Sequence, residues 1–104
     1  MTNPIGIISM QFQRPFTAAH FPQFAQWRTA GFDFVELLVP EPGELDLAAT
    51  RRALSDEGLG VALAARVNLD RNLCSDDEGK RRAGRDYLRY CVEVAHALGA
   101  GVVG

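Results

Sequence analysis

The sequence has few of the residues that mark several common kinds of site. It contains two cysteines, Cys74 and Cys91, and two histidines among 104 residues. The cysteines do not form a C-x-x-C pair, so we expect two free thiols in a cytoplasmic protein. No apolar run approaches the roughly 18 residues that a membrane-spanning helix needs. The first residues also lack the charged segment and long apolar core of a signal peptide.

The sequence also lacks a strong charge of either sign. The formal net charge is -2 and the pI is about 5.6, which gives no reason to expect a nucleic-acid partner. Neither G-x-G-x-x-G nor G-x-x-x-x-G-K-[ST] follows any predicted strand, so nucleotide phosphate binding has no support. A hydrophobic content of 47% with 23% charged residues is typical of one globular domain.

What the chain does contain is a regular alternation of two patterns. Short runs rich in Val, Ile and Leu predict strands over 5–10, 32–39, 61–67 and 101–104. Helical patterns lie between them over 22–30, 46–57 and 76–98. Gly31, Gly58 and Gly99 are placed to end these helices in the left-handed conformation. Ser75 and Glu78 form an S-x-x-E capping box ahead of the third helix.

Strands that alternate with helices indicate right-handed βαβ crossovers and a parallel sheet. Three such units and a short fourth strand correspond to half of an eightfold (βα)8 barrel, which typically needs about 250 residues. We therefore predict that residues 1–104 form one partial α/β domain, the truncated N-terminal half of such a barrel. A complete small doubly wound sheet is the alternative, but its last strand would lack a covering helix.

Two long segments resemble a known family. They are "GFDFVELLVPEPGELDLAATRRALSDEGLGVAL" and "SDDEGKRRAGRDYLRYCVEVAHALGAGVVG", and together they cover most of the chain. Both are similar to the sugar phosphate isomerase/epimerase family of xylose isomerase-like TIM barrels, with a layout like that of the ketose 3-epimerases. The resemblance implies an enzyme that moves a proton on and off the carbon beside a ketose carbonyl.

The resemblance also implies a divalent metal, manganese, magnesium or cobalt, in the full-length protein. Its ligands in the family are two glutamates, an aspartate and a histidine on strands five to eight, which would follow Gly104. No catalytic or metal-binding residue therefore carries over to this chain, and we expect the chain alone to be inactive and without the metal. The implied partners are a sugar or sugar phosphate, and either further copies of the chain or the missing half of the barrel.

Glu36 is the first candidate for a substrate-binding role. It interrupts the hydrophobic run "GFDFVELLVP", which predicts a strand buried on both faces, where an unpaired charge is costly. It lies toward the C-terminal end of that strand, where barrel enzymes build their sites. The alternative is a structural role, in which backbone amides or a basic residue such as Arg66 satisfy the carboxylate.

Three further residues are predicted to contact the substrate. Arg66 and Asn68 follow the third strand and carry groups that hydrogen-bond hydroxyls or phosphates. The resemblance implies an aromatic wall over the sugar from the loop after strand one, for which Phe12 and Phe16 are the candidates and Phe12 is selected; packing of both beneath the loop is the alternative. The resemblance also places a small polar residue of the family at about Leu63.

Two other functions remain open at this stage. One is a non-catalytic half-barrel that works by association, because exposed apolar strand edges would require a partner. The other is a sugar lyase or dehydratase built on the same barrel. In either case we expect the isolated chain to self-associate.

Overall fold

The computed structural model describes residues 3–104 of the chain. Strands and helices alternate in the predicted order. The strands are β1 (Gly6–Ile8), β2 (Phe34–Leu38) and β3 (Gly60–Ala64). The helices are α1 (Pro22–Thr29), α2 (Leu47–Asp56) and α3 (Glu78–Leu98). Two single 3-10 turns, Ser9–Gln11 and Ala18–His20, lie in the long connection between β1 and α1.

The three strands form one parallel sheet in the order β1-β2-β3. The predicted fourth strand is present as a parallel bridge between Val103 and Leu63 at the free edge of β3. The Leu63 N–H donates to the Val102 carbonyl at 3.0 Å, and the Gly104 N–H donates to the Leu63 carbonyl at 2.8 Å. Four consecutive segments therefore pair in chain order, as the first four strands of a barrel do.

The hydrophobic core lies on one side of this sheet only. Val35, Leu37 and Val39 of the central strand region are almost fully buried, and they pack in one cluster with apolar residues of all three helices. The helical members of that cluster are Phe24, Trp27, Leu54, Tyr87, Cys91, Val94, Ala95 and Leu98. Because every helix packs on the same side, the sheet has the one-sided covering of a barrel wall and not the two-sided covering of a doubly wound sheet.

The prediction that the second strand is buried on both faces is wrong for the described residues. Phe34, Glu36 and Leu38 alternate with the core residues and are only half-buried. Successive side chains of a strand point to opposite faces, so these three lie on the face away from the helices. In a complete barrel that face is the interior, which the opposite strands cover.

Helix ends follow the predicted glycines but not the predicted capping box. Gly31, Gly58 and Gly99 have φ angles of 105°, 67° and 75°, which confirms their left-handed conformation. The N-cap of α3 is Asp77, whose carboxylate accepts from the Lys80 N–H at 3.1 Å. Ser75 instead accepts from the Asp77 N–H at 3.1 Å, because the helix begins two residues beyond the position that the S-x-x-E pattern requires.

Within residues 3–104, no helix has the length and apolar character needed to cross a bilayer.

We expect Gly58→Ala to lower the free energy of unfolding by about 1 kcal/mol, because a Cβ is disfavoured in the left-handed conformation. The strain is purely local, since a Cβ at Gly58 would meet no atom within 4 Å. Gly101→Ala is the matched control: its Cβ would also meet nothing, and its φ lies outside the left-handed range. Urea denaturation of both variants measures the difference. Equal stability of the two would contradict the assignment of Gly58 as a required helix terminator.

Candidate active-site face

The candidate site lies where the three parallel strands end and the loops toward the next helices begin. These loops cover residues 9–21, 39–46 and 65–77. The carboxyl ends of parallel strands share one edge of the sheet, and barrel enzymes place their catalytic residues there. Three of the four predicted contact residues, Arg66, Asn68 and Phe12, are in these loops, and Glu36 lies inside β2.

Glu36 lies on the inner face, in the middle of the central strand. Its neighbours across the sheet are Ile8 of β1 and Ala62 of β3. Neither side chain carries a hydrogen-bond donor for a carboxylate. No group within residues 3–104 donates a hydrogen bond to it or forms an ion pair with it. The predicted alternative of a Glu36–Arg66 pair is therefore wrong within this structure, and the carboxylate faces the barrel interior with its acceptor capacity unused.

Arg66 forms its ion pair with a different glutamate. Its Nη2 atom lies 3.2 Å from Oε2 of Glu44, in the loop after β2. The same Oε2 atom accepts from the Glu41 N–H at 3.0 Å. The Arg66 Nε atom is buried and has no hydrogen-bond partner among the described residues. The guanidinium is thus fixed at one nitrogen and retains donors for a further acceptor.

A second arginine on this face, Arg71, contacts three other residues and was not among the predicted site residues. Its Nη1 and Nη2 donate to the two carboxylate oxygens of Glu41 at 3.3 and 2.8 Å. Its guanidinium carbon lies 3.7 Å from the centre of the Tyr87 ring, a cation–π distance. The hydrogen bond from Arg71 keeps the pKa of the Glu41 carboxyl below its ordinary value, which stabilises the ionised pair.

Two tyrosines of α3 form hydrogen bonds with the loops after β2 and β3. The Tyr87 hydroxyl accepts from the Arg66 N–H, and the Tyr90 hydroxyl donates to the Pro40 carbonyl at 2.7 Å. Burial raises the pKa of both phenols, so both remain protonated. No local sequence pattern around Tyr87 indicates that its hydroxyl bonds a loop.

Asn68 has a local structural role in the described conformation. Its Oδ1 accepts from the N–H groups of Asp70 and Arg71 at 2.9 and 3.1 Å, which closes a tight turn over 68–71. Leu69, at the tip of that turn, is 79% exposed. The side-chain oxygen of Asn68 therefore bonds within the turn, and only the side-chain NH2 group is available for a ligand.

The aromatic residues of the first loop divide between two environments. Phe16 is buried and stacks on Phe24 with ring centres 5.2 Å apart. Phe12 is 55% exposed and has one side near Trp27, with ring centres 5.8 Å apart. Phe12 thus keeps an accessible face for the predicted wall, whereas Phe16 follows the alternative of packing beneath the loop.

The assignment of the family's small polar position to Leu63 needs a correction. Leu63 is 1% exposed and belongs to the core on the helix side, so it faces away from the barrel interior. The inner face of β3 carries Ala62 and Ala64, which pair with Glu36 and Leu38. The one-residue difference matters because neighbouring residues of a strand point to opposite faces.

Residues 3–104 do not by themselves fit a catalytic metal ion. Within residues 3–104, no three His, Cys, Asp or Glu side chains are grouped as metal ligands. His20 is engaged locally, where its Nδ1 accepts from the Thr17 N–H at 3.0 Å. No chemical step is therefore assigned to a metal bound by these residues.

Comparison with known proteins agrees with this geometry. The sequence profile described as xylose isomerase-like TIM barrel matches residues 24–104. The chain belongs to this family. Curated members similar to it include an L-ribulose 3-epimerase of Mesorhizobium japonicum, 31% identical over 75 residues and 72% of this chain. A ketose 3-epimerase of Arthrobacter globiformis is 32% identical over 73 residues and 70% of this chain.

Solved structures of family members superpose on nearly the whole chain. A structure of L-ribulose 3-epimerase matches 98% of it with a TM-score of 0.89 and 26% identity. A D-allulose 3-epimerase from Methylomonas sp. matches 96% with a TM-score of 0.87 and 25% identity. The chain covers 35% of each of these structures and 25% of each curated relative. The partial TIM-barrel fold predicted from the sequence is thereby confirmed.

The Glu41–Arg71 pair gives a testable dependence of stability on pH. The pKa of the Glu41 carboxyl is lower in the folded state than its ordinary value near 4.5. The ionised carboxylate therefore stabilises the fold at pH values above 4.5, and this stabilisation is lost as the pH falls through the lowered pKa. Glu41→Gln should therefore be less stable than the parent at neutral pH, and the difference should shrink as the pH falls below 4.5 and the carboxyl becomes protonated. Urea denaturation at several pH values measures it.

Glu78→Gln is the control for this measurement. Glu78 pairs with Arg82 at 3.7 Å, and both side chains are largely exposed, so its removal should change stability little at any pH. A Glu41→Gln deficit that stays constant from neutral to acid pH would rule out the ionised pair as its cause.

Proposed function

We propose that this chain forms the N-terminal strands of a ketose 3-epimerase or closely related sugar isomerase. The observation that carries the proposal is the match of 98% of the chain to an L-ribulose 3-epimerase structure. Epimerisation at C3 of a ketose removes the proton from the carbon beside the carbonyl and returns a proton to the opposite face. The groups that exchange this proton, and the divalent metal of the family, belong to later strands in this proposal.

The role proposed for this chain is to bind and orient the sugar. Glu36 accepts a hydrogen bond from a sugar hydroxyl, because its carboxylate has no other donor among the described residues. Arg66 donates to a second hydroxyl through the nitrogens that Glu44 does not use. Phe12 covers the apolar face of the sugar ring or chain, and the Asn68 amide donates at the rim.

The charges on this face favour a sugar without a phosphate. Arg66 and Arg71 are each already paired with a glutamate, so neither is a free cation for a phosphate. The N-termini of α2 and α3, which would also attract an anion, are capped by the carboxylates of Asp46 and Asp77. An uncharged ketose fits this arrangement better than its phosphate ester.

A chimaera tests the proposal directly. Residues 1–104 would replace the corresponding N-terminal segment of the Methylomonas D-allulose 3-epimerase, which supplies the remaining strands. With manganese present, we expect interconversion of D-allulose and its C3 epimer, followed by chromatography. Arg66→Ala in the chimaera should lower kcat/KM roughly tenfold to a hundredfold, because a charged hydrogen bond contributes about 1.5–3 kcal/mol.

The control variant is Arg82→Ala, which removes an exposed arginine of α3 that pairs weakly with Glu78. It should leave kcat/KM unchanged. A folded chimaera with no epimerase activity, while the unmodified relative is active in the same assay, would count against the proposal.

The second candidate function is association through the open sheet. Ile8 on β1 and Val102 and Val103 beside β3 are exposed at 36%, 63% and 37%. These residues lie at the two edges of the sheet, where unpaired strands recruit further strands. We propose that this surface pairs with a second half-barrel, which is either another copy of this chain or the remaining strands of the barrel.

We expect the isolated chain to self-associate, because Phe34 and Leu38 on the inner face are only half-buried and apolar side chains are exposed at both strand edges. Sedimentation velocity over a concentration series would show a rise in the weight-average mass. A monomer at every concentration, with a cooperative thermal transition, would contradict this candidate.

A further inference from the structure

The main chain of Arg66 is held at both of its polar atoms. Its N–H donates to the Tyr87 hydroxyl, and its carbonyl accepts from Nε of Arg71 at 2.7 Å. Both bonds are made with side chains from outside the strand. The position of Arg66 is therefore set by Tyr87 and Arg71 together.

Arg71 is itself fixed by three separate segments. The carboxylate of Glu41, from the loop after β2, accepts a hydrogen bond from each terminal nitrogen of Arg71. Tyr87, from α3, lies against the flat face of the guanidinium. The third contact is the Arg66 carbonyl at the start of the loop that Arg71 itself belongs to. The side chain is only 17% exposed, so solvent screening of these contacts is weaker than for a surface pair.

The turn over 68–71 makes this geometry possible. Asn68 and Arg71 form an antiparallel bridge, and the Asn68 Oδ1 bonds within the turn reverse the chain. The reversal brings Arg71 back beside Arg66, five residues earlier. The loop after β3 thus forms a closed ring through the Arg71 side chain.

Two ion pairs join this loop to the loop after β2. Arg66 reaches Glu44 and Arg71 reaches Glu41, and the two glutamates are connected by the bond from the Glu41 N–H to Glu44 Oε2. A displacement of either loop would break several of these bonds at once. The two loops are coupled by this network.

We propose that Arg71 is a positioning residue, which acts through Glu41, Tyr87 and the Arg66 carbonyl to hold the Arg66 guanidinium in one orientation toward the sugar. The proposal rests on the proposed function for the role of Arg66 as a sugar ligand. Arg71 uses Nε on the Arg66 carbonyl and one N–H of each terminal nitrogen on Glu41, so the proposal gives it no contact with the sugar.

The competing explanation is that Arg71 only stabilises the fold. In that case its loss would lower the protection of all amides uniformly, by lowering the global free energy of unfolding. A positioning role predicts a local effect at Arg66 without a matching change in the core. Hydrogen exchange distinguishes these two patterns residue by residue.

The experiment is amide hydrogen exchange by NMR on the 104-residue chain and its Arg71→Lys variant. Lysine keeps the charge but loses the planar donor set and the stacking surface. We expect the Arg66 amide to exchange about tenfold faster in the variant, the effect of losing roughly one hydrogen bond. The amides of Leu37 and Leu63 in the sheet should keep their parent rates.

A spectroscopic signal of the Arg66 side chain accompanies this measurement. The Arg66 Nε–H is buried and should give a resolved, slowly exchanging resonance in the parent. It should broaden or exchange rapidly in Arg71→Lys. Arg82→Ala on α3 is the control and should change neither the Arg66 amide nor the Nε–H signal.

The proposal is overturned if the Arg66 amide and Nε–H signals are unchanged in a folded Arg71→Lys variant, or if all amides lose protection equally. Should Arg71→Lys fail to fold, Glu41→Gln decides, since it weakens only one contact of Arg71: local acceleration at Arg66 supports positioning and parent rates refute it. No sugar is present in these measurements. A failure here is thus distinct from a failure of the chimaera to epimerise a ketose.

Discussion

The alternation of side chains along the central strand β2 determines how the rest of the structure is arranged. Val35, Leu37 and Val39 point toward the helices and form the middle of the core. Glu36 and its neighbours point the other way, into what a closed barrel would enclose. Because each strand has only two faces, the packing that fixes the helices also fixes the carboxylate on the inner face. The location of the candidate site therefore follows from the core.

The sequence contained enough information to predict the architecture. Periodic apolar runs and the glycines Gly31, Gly58 and Gly99 marked the alternating units, because both signals are local in the chain. The errors were also local in origin. The Ser75 capping box failed because Asp77, two residues later, provides the N-cap carboxylate. The placement of the ligand-face position at Leu63 failed because Leu63 points into the core on the helix side, whereas its neighbours Ala62 and Ala64 face the interior.

The candidate site was predictable only in part. Glu36 and Arg66 could be singled out because Glu36 interrupts an apolar strand and Arg66 follows one. Arg71, Glu41 and Glu44 could not, since they lie in loops and pair across separations of 30 and 22 residues. Such pairs depend on how the loops after β2 and β3 meet in space. Neither the hydrophobic periodicity of the sequence nor its secondary-structure propensities predict that contact between loops.

The turn over 68–71 has a consequence for how this region tolerates change. Its base is fixed by Asn68 and by the contacts of Arg71, whereas Leu69 at its tip extends into solvent. Extra residues inserted at the tip would project outward without altering the spacing between the two arginines. An insertion at this tip would therefore leave the anchor beneath it intact.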